Sequence, residues 1–439
     1  MRLTTSDIAA ALDGEVFGRE TSVDGASIDS RTIGDGQLFV PIVADRDGHD
    51  FIGAALAGGA AAYLTNGPIE AATAVRCEDT SQALTALGRL ARTRLAGEVI
   101  GVTGSVGKTS LKDLLRSVAG TTWSTHAGIG SFNNEMGVPL TLLGSPDGTE
   151  VTVVEMGARG IGHIADLCTV ARPTVGVVTV VAGAHMEQFG SLAAVAMAKG
   201  ELVEAIPESG LAVLNADDEL VAAMAARSQA RVLTFGRIRG EVRAERVRLG
   251  DDLRARFHLA SPWGDATVQM AVAGEHQITN ALGAAAAALG LGAEPEAVAE
   301  GLARAVLSGG RMHLRTAPDG TRVLDDSYNA NPTSMAAALR ALAALPAQRR
   351  VAVLGTMAEL GSVAEADHEA TAALAQELGL EVISVAEPRY ANVEVAAPDV
   401  AGAAAAVRSH GPTGPDTAVL VKASRSAGLE RVVALLLEH

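Results

Sequence analysis

The stretch EVIGVTGSVGKTSLKDLLRSV, residues 98–118, constrains the fold more than any other. Its apolar opening EVIGVT reads as a buried strand. Leu111, Leu114, Leu115 and Val118 fall at i, i+3, i+4 and i+7, which is one apolar helix face. A strand, a glycine turn and a helix in direct succession begin a parallel-sheet unit, so this part of the chain is α/β. The turn nearly matches the phosphate-binding pattern G-x-x-x-x-G-K-[ST]. Gly107, Lys108 and Thr109 fit, but Val102 stands where the first glycine belongs, and Gly104 gives the tighter form T-G-x-x-G-K-T. The backbone of Thr103, Gly104, Ser105, Val106, Gly107 and Ser110, with the helix N-terminus, would cradle phosphates. Lys108 would reach the β/γ oxygens and Thr109 would ligate Mg²⁺. The plain alternative is a glycine-rich turn with no ligand; Lys-Thr at the helix start favours a nucleotide.

At 439 residues the chain is too long for one core, and two or three domains are expected. A formal net charge of −16 excludes the basic footprint of a nucleic-acid binder, so an anionic ligand must meet locally placed cations. Two cysteines, Cys77 and Cys168, form no disulfide framework and suit a reducing compartment. No signal-peptide core opens the chain, and the longest apolar run, ALGAAAAALGLGA at 281–293, is too short to span a membrane. A cytoplasmic protein without membrane insertion is expected.

Three blocks separate. Residues 1–96 mix short strands with helices near 50–60 and 80–94. Residues 97–308 carry the phosphate loop and strands at VTVVEMG (151–157) and TVGVVTVV (174–181), then alternating residues with a SPWGD turn that predict antiparallel strands across 241–272. From 309 to 439, RVLDD, RRVAVLG, EVISVA and TAVLVKA alternate with helices, a second mostly parallel α/β unit.

Several further residues carry possible chemistry. Glu155 closes a buried strand, at the sheet edge where ligands bind, and its carboxylate suits Mg²⁺. His185 follows another strand, and Lys199 lies in a helix, where a lysine is ordinarily a solvated charge. GEHQITNALGAA offers His276, Gln277 and Asn280 to frame a base; capping by Thr279 or Asn280 is the simpler reading. Arg311 follows two glycines, a cation suited to phosphate. VLDDSYNANP gathers Asp325, Asp326, Tyr328, Asn329 and Asn331 at a strand end, either a ligand loop or only a loop-to-helix junction. Lys422 and Arg425 follow the last strand.

LSGGR at 307–311 and VLDD at 323–326 superficially match a transport ATPase, which needs a helix between them. The Pro318-Asp319-Gly320 turn disfavours that helix, and the glycine loop lacks the G-x-x-G-x-G-K-[ST] form. A GTPase switch would need N-K-x-D or T-K-x-D, and neither occurs.

In order, TGSVGKT, FNNEMGVPLTLL, VVEMG, the His185 and Lys199 segments, NADDE, GEHQITNALGAA, GGRMHLR, DDSYNANP and VKASRS resemble the Mur ligases over essentially the whole chain. DSYNANPTSM, LGTMAELG and the N-terminal SIDSRTIGDGQLFVPIVADRDGHDF look like the branch that adds D-alanyl-D-alanine to UDP-N-acetylmuramoyl-tripeptide. Other amino-acid-adding Mur ligases and folylpolyglutamate synthase are the neighbouring alternatives. The resemblance implies a three-domain architecture: a UDP-substrate domain (1–96), a central P-loop ATPase-like parallel-sheet domain (97–308) and a Rossmann-like C-terminal ligase domain (309–439). It implies ATP, two Mg²⁺ ions and a monomeric enzyme. Thr109, Glu155, His185 and Lys199 would stand at the metals, with Lys199 carbamylated. Lys108, Lys199, His185 and Arg311 would serve catalysis. His276 and Asn280 would approach adenine, and Asp326 the ribose. Ser27, Arg31, His49 and Phe51 would lie toward the UDP end of the substrate. Asn133, Asn134, Tyr328, Asn329, Asn331, Lys422 and Arg425 would complete the substrate sites. Gln277 replaces the family's usual asparagine, and GARG after Glu155 departs from the common GANH, so neither Gln277 nor Arg159 takes a role from the resemblance.

Overall fold

A computed structural model describes residues 1–69, 72–183 and 186–438. Besides a two-stranded pair, Arg2–Thr4 with Ser22–Asp24, three larger sheets follow one another along the chain, and one core running from Leu38 and Leu64 to Val138 and Leu202 joins the first two. The first has five short strands in the order Glu15–Phe17, Ala74–Arg76, Ala62–Thr65, Leu38–Phe39, Ala26–Ser27, with Phe39 and Tyr63 buried against Ile33 and Ile52. The two helices expected in this block are Ile52–Ala57 and Thr80–Arg94.

The central sheet has nine strands. Glu98–Thr103 lies between Val151–Glu155 and Val175–Val178, all parallel, because each strand is followed by a helix that returns the chain to the same edge. Side chains alternate: Ile100 and Val102 pack with Leu111, Leu114 and Ile278 on one face, while Val99 packs with Val138, Ile164 and Leu202 on the other. The alanine run is used for close approach. Helix Gln277–Gly290 crosses the phosphate-loop helix Lys108–Ala119, and a Cβ on Gly283 would stand 2.6 Å from Leu111 Cδ1. Among the described residues no helix is long and apolar enough to cross a membrane. The antiparallel strands expected across 241–272 are Val242–Leu249, Arg254–Ser261 and Gly264–Ala273.

The third sheet runs His313–Thr316, Arg322–Asp325, Thr417–Lys422, Arg349–Leu354, Glu381–Val385, Val395–Ala397, parallel except at its first pair. That antiparallel pair occupies the segment between LSGGR and VLDD. It is a hairpin turning near Asp319 and Gly320, so the helix a transport ATPase requires is absent there. Two expectations need correction. The strand expected over 174–181 ends at Val178, just before Thr179, whose hydroxyl donates to the Val106 carbonyl of the phosphate loop at 2.6 Å. Neither Thr279 nor Asn280 caps the helix of GEHQITN: the helix begins at Gln277, behind His276, and both lie inside it.

Candidate active site

The carboxyl ends of the central and C-terminal sheets face each other across one cavity of about 1190 Å³. Parallel sheets bind ligands at this edge, where helix N-termini and strand-end side chains converge. Residues 105–110 form one wall, Asn133, Asn134 and Glu155 the floor, and Arg311, Asp326, Tyr328, Asn329, Asn331, Lys422 and Arg425 the opposite side.

The loop is shaped by its glycines. Gly107 adopts φ +85°, and a Cβ there would stand 2.4 Å from Asn280 Oδ1; at Gly104 (φ +145°) it would meet Thr179 Oγ1 at 1.9 Å. Thr103 and Gly104 are not part of the cavity wall. Thr103 is fully buried and donates to the Met156 carbonyl at 2.8 Å, so it braces the loop from behind. Lys108 folds over the loop and donates Nζ to the Gly104 carbonyl at 2.8 Å. Burial lowers its pKa, Arg311 adds to that, and Glu155 opposes it.

Glu155, 2% exposed, organises the floor. Its Oε2 accepts the Thr109 hydroxyl at 2.8 Å, and its Oε1 accepts Asn133 Nδ2 at 2.8 Å and Ser131 Oγ at 3.1 Å. Carboxylate and hydroxyl oxygens side by side fit Mg²⁺, which takes few protein ligands and keeps waters. Among the described residues no group of three or more His, Cys, Asp or Glu side chains could hold a metal without such help. His185 lies outside the described residues. Lys199, 2% exposed, reaches the cavity. Burial, helped by Lys108 and opposed by Glu201, lowers its pKa to about 7, so a large neutral fraction exists near neutrality. The solvated-charge reading of Lys199 does not describe this environment.

At the base end, burial keeps His276 neutral. Gln277, 2% exposed, holds its amide 3.2 Å from His276 Nε2 and accepts Asn280 Nδ2 at 2.8 Å. The residue set aside as a departure is therefore the bridge between the two proposed base contacts. Asp326 accepts the Met312 N–H at 3.1 Å and pairs with Lys422 Nζ at 2.6 Å, and Lys422 also donates to the Asn329 carbonyl at 2.8 Å. Lys422 is thus fully engaged in shaping the DSYNANP loop. A direct substrate contact from it would break this pairing. Arg425 stays largely exposed, its guanidinium 5.8 Å over the Tyr328 ring.

The C-terminal domain enters the nucleotide site through Arg311. Its Nη2 donates to Thr109 Oγ1 at 3.0 Å, its guanidinium stacks 4.2 Å from the Tyr328 ring, and its buried Nε has no protein partner among the described residues. Such a buried donor needs an acceptor, which phosphate oxygens supply. Ser27, Arg31, His49 and Phe51 are not brought to this cavity, where Ile28 represents the N-terminal domain. Arg31 pairs with Asp29 at 2.6 Å on the surface. His49 keeps Nδ1 2.6 Å from Asp47 Oδ1, with its buried Nε2 unpartnered among the described residues.

Sequence reasoning passed over Lys112 and Asp113. Lys112 Nζ donates to the carbonyls of Gly128 and Gly130 at 2.6 and 2.7 Å, holding the loop that carries Ser131 and Asn133. Asp113 pairs with Lys112 and accepts the Ser308 N–H at 2.7 Å, three residues before Arg311. No sequence signal marks this pair, because its burial is set by how the helix packs.

Residues 102–288 match the Mur ligase middle domain, and residues 310–436 match the Mur ligase, glutamate ligase domain. With the phosphate loop and the facing sheets, these matches place the chain in the Mur ligase family, which are ATP-dependent ligases. Within that family it is similar to the UDP-N-acetylmuramoyl-tripeptide–D-alanyl-D-alanine ligase of Mycobacterium tuberculosis, 39% identical over 99% of this chain and 98% of the relative. The crystal structure of MurF from Acinetobacter baumannii superposes with a TM-score of 0.87 at 29% identity, covering 100% of this chain and 99% of that one. MurF of Thermotoga maritima in complex with ADP gives 0.81 at 27% identity, covering 95% and 97%.

Proposed function

We propose that the chain joins D-alanyl-D-alanine to UDP-N-acetylmuramoyl-tripeptide using ATP, a cytoplasmic step in making the peptidoglycan precursor. The observation that carries this reading is Arg311 reaching Thr109 across the cavity. One site then holds the phosphate loop, an acidic floor and the DSYNANP loop of a second domain. The domain limits proposed for these roles are 1–96, 97–308 and 309–439.

A carboxylate is a poor electrophile, so the terminal carboxylate of the tripeptide attacks the γ-phosphorus, ADP leaves, and an acyl phosphate results. The free amine of the dipeptide attacks that carbonyl, the C–N bond forms, phosphate leaves with the C–O electrons, and the amine proton passes to solvent. Lys108 and Arg311 stabilise charge on the transferring group, and the loop N–H groups orient it. His276 and Asn280, aligned by Gln277, sit at adenine, and Asp326 at the ribose. Asn133 and Asn134 meet the peptide, while Ser27, Arg31, His49 and Phe51 serve the UDP end. Tyr328, Asn329, Asn331 and Arg425 line the dipeptide side.

Thr109, Glu155, His185 and a carbamylated Lys199 would hold two Mg²⁺ ions. When bound, Mg²⁺ supplies neutralising charge to the phosphates. The neutral fraction of Lys199 near pH 7 supports the carbamate, since only the free amine captures CO₂. The order of steps is tested with ATP, tripeptide substrate and hydroxylamine but no dipeptide. A tripeptide hydroxamate should form with ADP, whereas ADP release that needs the dipeptide and yields no hydroxamate would overturn the acyl-phosphate route.

A further inference from the structure

The cavity wall contributed by Ala358, Glu359 and Leu360 is held from behind by a buried polar cluster that the reaction scheme leaves unused. The wall follows strand Arg349–Leu354, and each residue before it is anchored. Tyr390 Oη donates to the Gly355 carbonyl at 2.9 Å, and Arg389 Nη2 donates to Thr356 Oγ1 at 3.1 Å. The Ala358 N–H donates to Ser424 Oγ at 2.9 Å. Between these stands His368, 0% exposed, on helix Ala364–Glu377.

The hydrogen bonds of His368 define its state. Nε2 lies 3.0 Å from the Met357 N, whose N–H can only donate, so Nε2 is the acceptor. Nδ1 lies 2.6 Å from the Ala364 carbonyl, which can only accept, so Nδ1 carries the proton. The ring is therefore neutral and of one tautomer, packed edge-on against Tyr390 with centroids 5.0 Å apart. Glu387 Oε2 stands 3.5 Å from the same Nε2, and the carboxylate is held through Oε1, which accepts Arg389 Nε–H at 2.7 Å. A second ring proton would oppose the Met357 N–H and turn the imidazole toward Glu387.

We propose that His368 is a positioning residue for the amine substrate: by accepting the Met357 N–H it fixes the Ala358–Leu360 wall against which D-alanyl-D-alanine sits. The assignment of that substrate rests on the functional reading above. The wall should also loosen in acid. The charged groups acting on the ring are Glu387, Arg389 and Asp367. On the neighbouring elements Arg340 is exposed and Glu381 is bound to Arg349. Burial lowers the His368 pKa, so the ring stays neutral through the ordinary histidine range and its order is lost only as pH falls below that range.

The test uses the full chain with His368→Leu and His368→Gln, whose amide oxygen can accept the same N–H. In His368→Leu, amide exchange at Met357 should speed by about tenfold or more, and the KM for D-alanyl-D-alanine should rise by about tenfold, as for one lost buried hydrogen bond. The KM for ATP should stay within about twofold. His368→Gln should recover most of the dipeptide KM and abolish its rise in acid; this variant carries the test if the leucine form does not fold. Unchanged Met357 exchange, a KM shift shared equally by all substrates, or a His368→Gln enzyme that keeps the acid limb would overturn the proposal. If the wild-type chain uses another amine, the functional reading fails on its own. That amine's KM then takes the dipeptide's place, and the exchange readout stands unaltered.

Discussion

Arg311→Lys keeps the positive charge where the C-terminal domain enters the nucleotide site and removes everything else the guanidinium does there. The Nη2 bond to Thr109 Oγ1 at 3.0 Å is lost or lengthened, and so is the stack 4.2 Å from Tyr328. The Nε donor, buried without a protein partner among the described residues, disappears outright. A charge-assisted hydrogen bond contributes roughly 1.5–3 kcal/mol and a cation–π contact about 0.5–1 kcal/mol. Together they amount to about 2–4 kcal/mol, a factor of roughly 30 to 1,000 in kcat/KM if both strengthen in the closed, reacting complex. Coupled ADP-release kinetics measures the turnover. Calorimetry with the UDP-substrate measures binding at the N-terminal side, which should change less than about threefold. Turnover within about threefold of wild type would show that Arg311 is a hinge residue and that its contact with Thr109 is incidental.

Three further outcomes are expected. Lys108→Ala should abolish ATP turnover while leaving the fold and melting temperature close to wild type; retained turnover would move the active site away from this loop. Lys199→Ala should fold and lose most ligation, with partial rescue by small added carboxylates; full activity would end the carbamate proposal. Burial lowers the Lys199 pKa from 10.5 to about 7, so between these values the unfolded chain binds a proton that the folded chain lacks, and stability rises with pH. In CO₂-free buffer, wild type should therefore gain about 2–3 kcal/mol more than Lys199→Met between pH 7 and 9, by urea unfolding; parallel pH profiles would refute the assignment.

Local signals carried much of this fold. Apolar strands bounded by glycine turns were readable because burial on both faces of a parallel sheet leaves continuous apolar runs, as at Val151–Glu155 and Thr417–Lys422. Strand Val395–Ala397 was not readable, since three residues at a sheet edge leave no periodicity. Within the site, Lys108, Thr109, Glu155 and Arg311 announced themselves through residue type beside a turn or strand end. The bracing residues did not. Thr103 reads as a phosphate contact until its hydroxyl is seen on Met156, and Asp113 gains meaning only from Ser308, 195 residues away. Gln277 was set aside because it replaces the family's usual asparagine, and its bonds to His276 and Asn280 on one helical turn become visible only in the structure. Lys199 could not be distinguished from a surface lysine by composition, since its burial comes from helix packing that sequence spacing does not report.

The central claim is tested most directly by the product. The full chain is mixed with ATP, Mg²⁺, UDP-N-acetylmuramoyl-tripeptide and D-alanyl-D-alanine, and the nucleotide-sugar peptide is weighed by mass spectrometry while ADP and phosphate are counted. The account predicts UDP-N-acetylmuramoyl-pentapeptide, ADP and phosphate in equal amounts, with no product when the dipeptide is withheld. Extension by a single amino acid or of a folate instead, or ATP hydrolysis indifferent to both substrates, would contradict it.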